Sequence, residues 1–254
     1  MKVRFVNSND IDTEIKVAGW MASASYDSKT EYATIGKKCI NSGHGVPTRP
    51  MRFMFEISEV SRAFSHEFVR HEIGVAKVQR SQRFVNEDGF RYVTPKGIMD
   101  LSVQVRIPII GDDQYFNQYG ESVDYVYTWL AFSNFQDIVK QMYKGFIEQG
   151  AKPEDARYCL SNATFTKINV SFDWEGLQQF CLRRCCTRAQ WEIRELAMMI
   201  IAEIRKVSPF LADKLGAHCH VHGYCPEEKG CGRAPSKEEL CRFYQLGKER
   251  HDNR

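Results

Sequence analysis

Two arginine-rich islands lie in distant parts of the chain: Arg70-His71 with Ser81-Gln82-Arg83, and Arg184-Cys185-Cys186-Thr187-Arg188-Ala189-Gln190-Trp191-Glu192-Ile193. Both set guanidinium groups among aromatic and apolar residues. A cation is costly to bury there unless it meets a carboxylate, a phosphate or a nucleotide base. This points to an anionic ligand. With 254 residues the chain can bury a full core. The expected organisation is one large domain, residues 1–215, followed by a Cys/His-rich tail, residues 216–254, where the composition shifts after Gly216.

Charge and composition narrow the function classes. A net charge of +3 is too small for a nucleic-acid coat, so the arginines matter by where they cluster. No apolar run approaches bilayer length, and Met1-Lys2-Val3-Arg4-Phe5-Val6 reads as a short strand rather than a signal peptide. Nine cysteines without an export signal argue for reduced thiols or a metal rather than a disulfide framework. The expectation is a cytoplasmic protein with no membrane and no nucleic-acid partner.

Residues 1–60 read as strands broken by turns, with Phe53, Phe55 and Ile57 alternating in the last of them. Ser58 is the expected cap of a helix from Glu59 to about Ile73, whose C-terminal end carries Glu67, Arg70 and His71. Gly74 to Pro95 reads as extended or looping, and Tyr115 to Gln149 as a long proline-free helix with Gly120 as a break point. Pro153, followed by Glu154 and Asp155, starts a short helix that projects Arg157. Trp174 to Val207 forms one or two helices, with Trp191, Leu196, Ala197, Ile200 and Ile204 facing the core until Ser208-Pro209.

Ser81-Gln82-Arg83 places a hydroxyl and a guanidinium on one side of an extended backbone, which suits a phosphate. Alone, such a triplet is more often a solvated basic loop. The surrounding elements change that weighting. Arg70-His71-Glu72, then Ser81-Gln82-Arg83-Phe84, then Ala156-Arg157-Tyr158-Cys159-Leu160, then Arg184 to Ile193 stand in the order found in the flavin-dependent thymidylate synthases (the ThyX class), which this chain resembles. The resemblance implies an α/β (α+β) subunit with a mixed sheet flanked by long helices, assembled as a homotetramer with active sites between subunits. It implies FAD as cofactor, methylenetetrahydrofolate as one-carbon donor, NADPH as reductant and dUMP as acceptor, with dTMP as product.

Carried over residue by residue, the resemblance puts Arg70 and His71 against the FAD. Ser81, Gln82, Arg83 and Arg157, with Arg70, hold the deoxynucleotide, and Arg184 favours ionisation of the pyrimidine ring. Ser25 and His44 match weaker flavin-side positions, and Gln79 and Gln179 also fall on cofactor positions. Several positions depart from the family pattern. Glu72 replaces a cation, Asp173-Trp174-Glu175 stands where the family has Asn-Ala-Arg, and Glu67 replaces a glutamine on the nucleotide side. An ionised carboxylate can only accept hydrogen bonds. Two alternatives therefore stand beside dUMP methylation: a dCMP or dUMP hydroxymethylase, with Glu67 as the acceptor for an amino group, and an inactive nucleotide-binding relative. A nucleic-acid-binding protein that stacks bases on Phe84, Tyr92 and Trp191 is disfavoured by the low charge. Cys185 and Cys186 are expected to pack rather than act as nucleophiles. In the tail, Cys219, Cys225 and Cys231 are spaced six and six, which leaves both a zinc site and a reduced loop-rich terminus open.

Overall fold

The computed structural model describes residues 1–6, 10–25, 29–108, 115–116, 122–123 and 125–236. In chain order the elements are β1 (Lys2–Phe5), α1 (Ile11–Ser23), α2 (Tyr32–Asn41), α3 (Gly45–Thr48), β2 (Arg52–Ser61), α4 (Arg62–Phe68), β3 (Val75–Gln79), β4 (Ser102–Pro108), β5 (Tyr115–Phe116) and β6 (Ser122–Val123). They continue with β7 (Tyr125–Ala131), α5 (Phe132–Glu148), α6 (Pro153–Ala156), β8 (Phe165–Asp173), α7 (Trp174–Arg184), α8 (Trp191–Val207), α9 (Pro209–Ala212) and α10 (His218–His222). The chain is thus a mix of sheets and long helices, and it divides into two compact units, Met1–Gln79 with Thr166–Arg254, and Arg80–Phe165. Among the described residues no helix is long and apolar enough to cross a membrane.

The first unit is built on a four-stranded sheet in the order β1-β2-β8-β3. β1 and β2 pair antiparallel from Lys2↔Ser58 to Phe5↔Phe55, and β3 and β8 from Val75↔Phe172 to Gln79↔Ile168. Strand alternation sends Phe53, Phe55 and Ile57 of β2 to one face with Ile168, Val170 and Phe172 of β8, all of them buried. Against that face lie Phe64 and Phe68 of α4, Leu177 and Phe180 of α7, and Leu196, Ala197, Ile200 and Ile204 of α8. At its aromatic centre Phe68, Phe172 and Phe180 meet with ring centroids 5.5–6.2 Å apart.

Several expected boundaries move. Between β1 and β2 the chain is helical, not a run of strands: Asp10 accepts from Thr13 N at 2.7 Å, and Ile11, Ile15, Ala18 and Ala22 then follow the helical period. β2 runs on to Ser61, with Glu59 at φ 59, so the cap of α4 is Ser61 rather than Ser58 and the helix is confined to Arg62–Phe68. Ser61 Oγ accepts from Phe64 N at 2.9 Å. Arg70 and His71 do follow the end of this helix, in the turn closed by His71 N donating to Phe68 O. The stretch from Trp174 is two helices, α7 and α8. Leu196, Ala197, Ile200 and Ile204 face the core as expected, whereas Trp191 is only half-buried, and Ile193 takes the inward place.

In the second unit β4 and β7 pair antiparallel from Ser102↔Ala131 to Pro108↔Tyr125. The expected helix over Tyr115–Gln149 is therefore a strand in its middle part and a helix only from Phe132. Tyr125 to Trp129 is a run of aromatic and β-branched residues that fits a pleated surface better than a helix. Gly120 lies outside the described residues. α5 buries Gln136, Val139 and Tyr143. Tyr143 Oη accepts from Glu87 N at 3.0 Å, and Gln136 Oε1 accepts from Ser161 Oγ at 2.8 Å. Pro153 opens α6 as expected.

One turn fixes the end of the first island. Gly74 has φ +69, and a Cβ there would lie 2.2 Å from Asp173 Oδ1, the atom that caps α7 by accepting from Gly176 N at 2.6 Å. Gly74 O also accepts from Asp173 N at 2.7 Å. Gly74→Ala is expected to destabilise the protein by roughly 2–4 kcal/mol, the sum of a strained backbone and a displaced cap. Urea denaturation measures this, and a midpoint equal to the wild type's would show that the left-handed turn is dispensable.

Candidate active site

Three sets of the expected residues are assembled, two in the first unit and one in the second. The first set joins the two arginine islands. α4 delivers Glu67 and the turn after it delivers His71, while Arg184 is the last residue of α7. Arg184 Nε donates to His71 Nε2 at 2.8 Å, and Arg184 Nη1 pairs with Glu67 Oε2 at 3.4 Å. His71 packs edge-on against Phe180 with centroids 5.0 Å apart, and its carbonyl accepts from Lys77 Nζ at 2.6 Å. An imidazole nitrogen that accepts from a guanidinium carries no proton, so His71 is neutral with its hydrogen on Nδ1. Burial, then the charges of Arg184, Arg183 and Lys77, lower its pKa to about 4. Arg70 and Glu72, on either side of His71, are exposed.

Cys181 and Cys185 lie one turn apart at the end of α7. Cys181 is fully buried and keeps its proton, and its hydrogen bond lowers the Cys185 thiol. Arg184, Arg183 and Gln179 line a cavity of about 620 Å³ that is also lined by Cys225, Cys231 and Arg233 of the tail. Cys219 lines it as well. Among the described residues no group of three or more His, Cys, Asp or Glu side chains is placed to hold a metal ion.

The second set lies around α3. Ser25 and His44, distant in sequence, line two overlapping pockets of about 360 and 400 Å³, with Lys38 in one wall and Met21 and Val46 in the other. Glu175 reaches this neighbourhood from α7: its carboxylate accepts from Arg49 Nε at 3.0 Å and lies within 3.3 Å of where a Cβ on Gly45 would stand. Asp173, two residues earlier, is occupied as the α7 cap. Gln79, on β3, donates to Thr166 Oγ1 at 3.1 Å.

The third set is in the second unit. Ser81-Gln82-Arg83 is not extended; it forms a turn in which Val85 N donates to Ser81 O and Ser81 Oγ accepts from Arg83 N at 3.2 Å. Arg83 Nε pairs with Glu154 Oε2 at 2.7 Å, and Arg157 Nε donates to the Glu154 carbonyl at 3.0 Å. Glu154 thus gathers the two expected phosphate arginines on one residue. The guanidinium of Arg83 holds the Glu154 carboxyl below its ordinary range. Gln82 is buried, and its Nε2 has no partner among the described residues. The sequence marks Glu154 only as a first-turn acid, and no local spacing signals its pairing with Arg83, 71 positions away.

The profile of the family described as "Thymidylate synthase complementing protein" matches residues 5–210. The flavin-dependent thymidylate synthase of Nitratidesulfovibrio vulgaris is 36% identical over 209 residues, covering 79% of this chain and 76% of the relative. That of Clostridium tetani is 36% identical over 199 residues, covering 78% and 76%. That of Geobacter sulfurreducens is 32% identical over 208 residues, covering 81% and 78%. The matched span includes Glu67, His71 and Arg184, the Ser81-Gln82-Arg83 turn and Arg157, and the chain belongs to the flavin-dependent thymidylate synthase family.

Proposed function

We propose that this chain transfers the one-carbon unit of methylenetetrahydrofolate to C5 of a pyrimidine deoxynucleotide in an FAD-dependent reaction, with dUMP as acceptor, dTMP as product and NADPH as the source of reducing equivalents. The observation that carries this reading is Arg184, held in a fixed pose by neutral His71 and by Glu67. A guanidinium has five N–H donors, and these two contacts use one on Nε and one on Nη1. Among the described residues the remaining donors have no partner, so they can meet a pyrimidine carbonyl and N3, where a fixed cation stabilises the negative charge that develops as the ring is activated. Neutral His71 is essential to that geometry, because an imidazolium could not accept from Arg184. Glu67 balances the cation so that it is tolerated at the edge of the core.

Ser81, Gln82, Arg83 and Arg157, with Arg70, are the candidate deoxynucleotide contacts; the buried amide of Gln82 supplies a donor awaiting an acceptor. Around Ser25 and His44 the donor set suits a flavin nucleotide: the hydroxyls of Ser25 and Ser42, an imidazole and the Lys38 ammonium stand among apolar residues that include Met21, Val46 and Pro47. These residues, with Arg70, His71, Glu72, Gln79, Asp173, Glu175 and Gln179, are the candidate FAD contacts. When bound, the reduced flavin supplies the hydride that turns the transferred carbon into a methyl group. The catalytic domain is residues 1–215 and the tail residues 216–254. The working assembly is a homotetramer with active sites between subunits, a reading supported by the half-exposed stripe Phe135, Ile138, Met142 and Phe146 on α5, which repeats at helical spacing. The eight described cysteines are all free, which suits the cytoplasm.

One observation favours a second acceptor. The Glu67 carboxylate beside Arg184 would accept from the amino group of a cytosine ring, so dCMP, with a methyl or hydroxymethyl product, is the competing substrate. Incubation with FAD, NADPH, methylenetetrahydrofolate and equal dUMP and dCMP, followed by mass analysis, decides between them. Methylated dUMP supports the first reading, a product from dCMP the second, and no product from either refutes both.

Arg184→Ala is expected to lower kcat by about 100- to 1,000-fold while leaving bound flavin in place; colourless protein would move Arg184 to the cofactor. Arg83→Ala is expected to weaken nucleotide binding by roughly 10- to 100-fold, the range for lost charge-assisted hydrogen bonds. Calorimetry with dUMP measures it, and wild-type affinity would remove Arg83 from the site.

His71 also makes stability depend on pH. Its pKa falls from 6.5 in the unfolded chain to about 4 when folded, so between those values the unfolded state binds more protons and stability rises with pH. The contribution is complete above about 6.5 and is lost as pH falls towards 4. His71→Asn should show a flatter melting-temperature profile than the wild type across this window. Parallel profiles would mean that the imidazole is not held neutral.

A further inference from the structure

We propose that the tail beyond the family-matched region completes the cavity that holds Arg184, and that Arg233 supplies this cavity with an additional arginine for a phosphoryl group of a nucleotide ligand. The inference rests on the reading of that cavity as part of a nucleotide site. The family match ends at residue 210, yet Cys225, Cys231 and Arg233 line the same cavity of about 620 Å³ as Gln179, Arg183 and Arg184.

The tail is held against the second arginine island by specific contacts. Arg188 Nη1 donates to Glu227 Oε2 at 3.2 Å and to the Lys229 carbonyl at 3.0 Å. Thr187, in the turn after Arg184, lines the same cavity as Cys231 of the tail, and its hydroxyl makes the Cys231 thiol easier to ionise. The tail also closes on itself: Cys225 N donates to Pro235 O at 2.8 Å, and His218 Nδ1 lies 3.2 Å from the Tyr224 carbonyl. These bonds place Arg233 in the cavity wall.

The charge inventory of the lining points to an anion. Arg184 is matched by Glu67, and Arg188 by Glu227, the one carboxylate among the described lining residues. Arg183 and Arg233 have no ion-pair partner among the described residues. Like charges sharing a partly enclosed space repel, and a phosphoryl group, which accepts several charge-assisted bonds at once, relieves that repulsion. Arginine suits this role because its planar fork matches a phosphoryl group in two-point contact. The phosphoryl group could come from the deoxynucleotide monophosphate or from the pyrophosphate of FAD; the two share the chemistry that Arg233 reads.

Cys231 is the reporter. It is exposed, it lines the cavity, and the Thr187 hydroxyl makes its thiol easier to ionise, so it should react readily with iodoacetamide. The full chain is alkylated in buffer alone and with dUMP, FAD or inorganic pyrophosphate, and the Cys231 peptide is followed by mass spectrometry. One of the nucleotides is expected to slow labelling by about tenfold or more, and the one that does so identifies the source of the phosphoryl group. In Arg233→Ala that protection is lost and the dissociation constant of the same ligand rises by about tenfold, with partial rescue in Arg233→Lys and an unchanged melting temperature. Labelling that no ligand slows overturns the inference, as does full protection in Arg233→Ala. If the wild type binds neither dUMP nor FAD in calorimetry, the functional reading above fails on its own account. Arg233-dependent protection by pyrophosphate would then still support the cavity as an anion site, and its absence would overturn it.

Discussion

The arrangement of the first unit depends on one buried carboxylate. Glu192, at the start of α8, is 2% exposed, and both donors to its carboxylate come from a single residue: Ser61 N at 2.7 Å and Ser61 Oγ at 2.6 Å. Burial raises the Glu192 carboxyl while these bonds act in the opposite direction, so the group is tolerable only where Ser61 meets it. Ser61 is also the last residue of β2 and the cap of α4, so the strand, the short helix and α8 are tied at one point. Gln190 caps α8 from the other side, its Oε1 accepting from Glu192 N and Ile193 N. The run from Arg184 to Ile193 therefore divides its labour. Arg184 meets Glu67 and His71, and Gln190 and Glu192 hold the frame that brings α4 to it.

That frame explains how cations are kept next to an aromatic core. Arg184 is matched by one carboxylate and one neutral nitrogen rather than by two anions, which leaves N–H donors of the guanidinium available to a ligand. Phe180 supports His71 from the core side and Lys77 anchors its backbone, so the imidazole has little freedom to turn away. The preorganisation is electrostatic as well as steric, because the nearby cations that keep His71 unprotonated include the one it supports.

The sequence and the structure agree most where local rules suffice. Pro153 with its acidic first turn and the α8 stripe from Leu196 to Ile204 could be read from spacing, whereas Arg70 and His71, expected on the end of a helix, lie just beyond it. The boundary of α4 could not, because Ser58 and Ser61 are equally good caps in isolation and the choice is made by Glu192, 131 positions away. Tyr125 to Ala131 reads as helix or strand until its pairing with β4 is known. The start of α1 carries a local signal, the Asp10 cap. The nearness of Ser25 to His44, and of Arg188 to Glu227, is a property of the fold alone.

On the proposed reading of Arg83 as a phosphate contact, its pairing with Glu154 recasts what ligand capture means. The arginine does not wait empty; an internal carboxylate already holds it. A phosphate arriving there exchanges one anion for another and releases Glu154 to water, so the net gain is the difference between two ion pairs and not the whole of one. Such a site trades affinity for readiness: the guanidinium is aimed before the ligand arrives, and the displaced carboxylate remains at hand to reclaim it when product leaves.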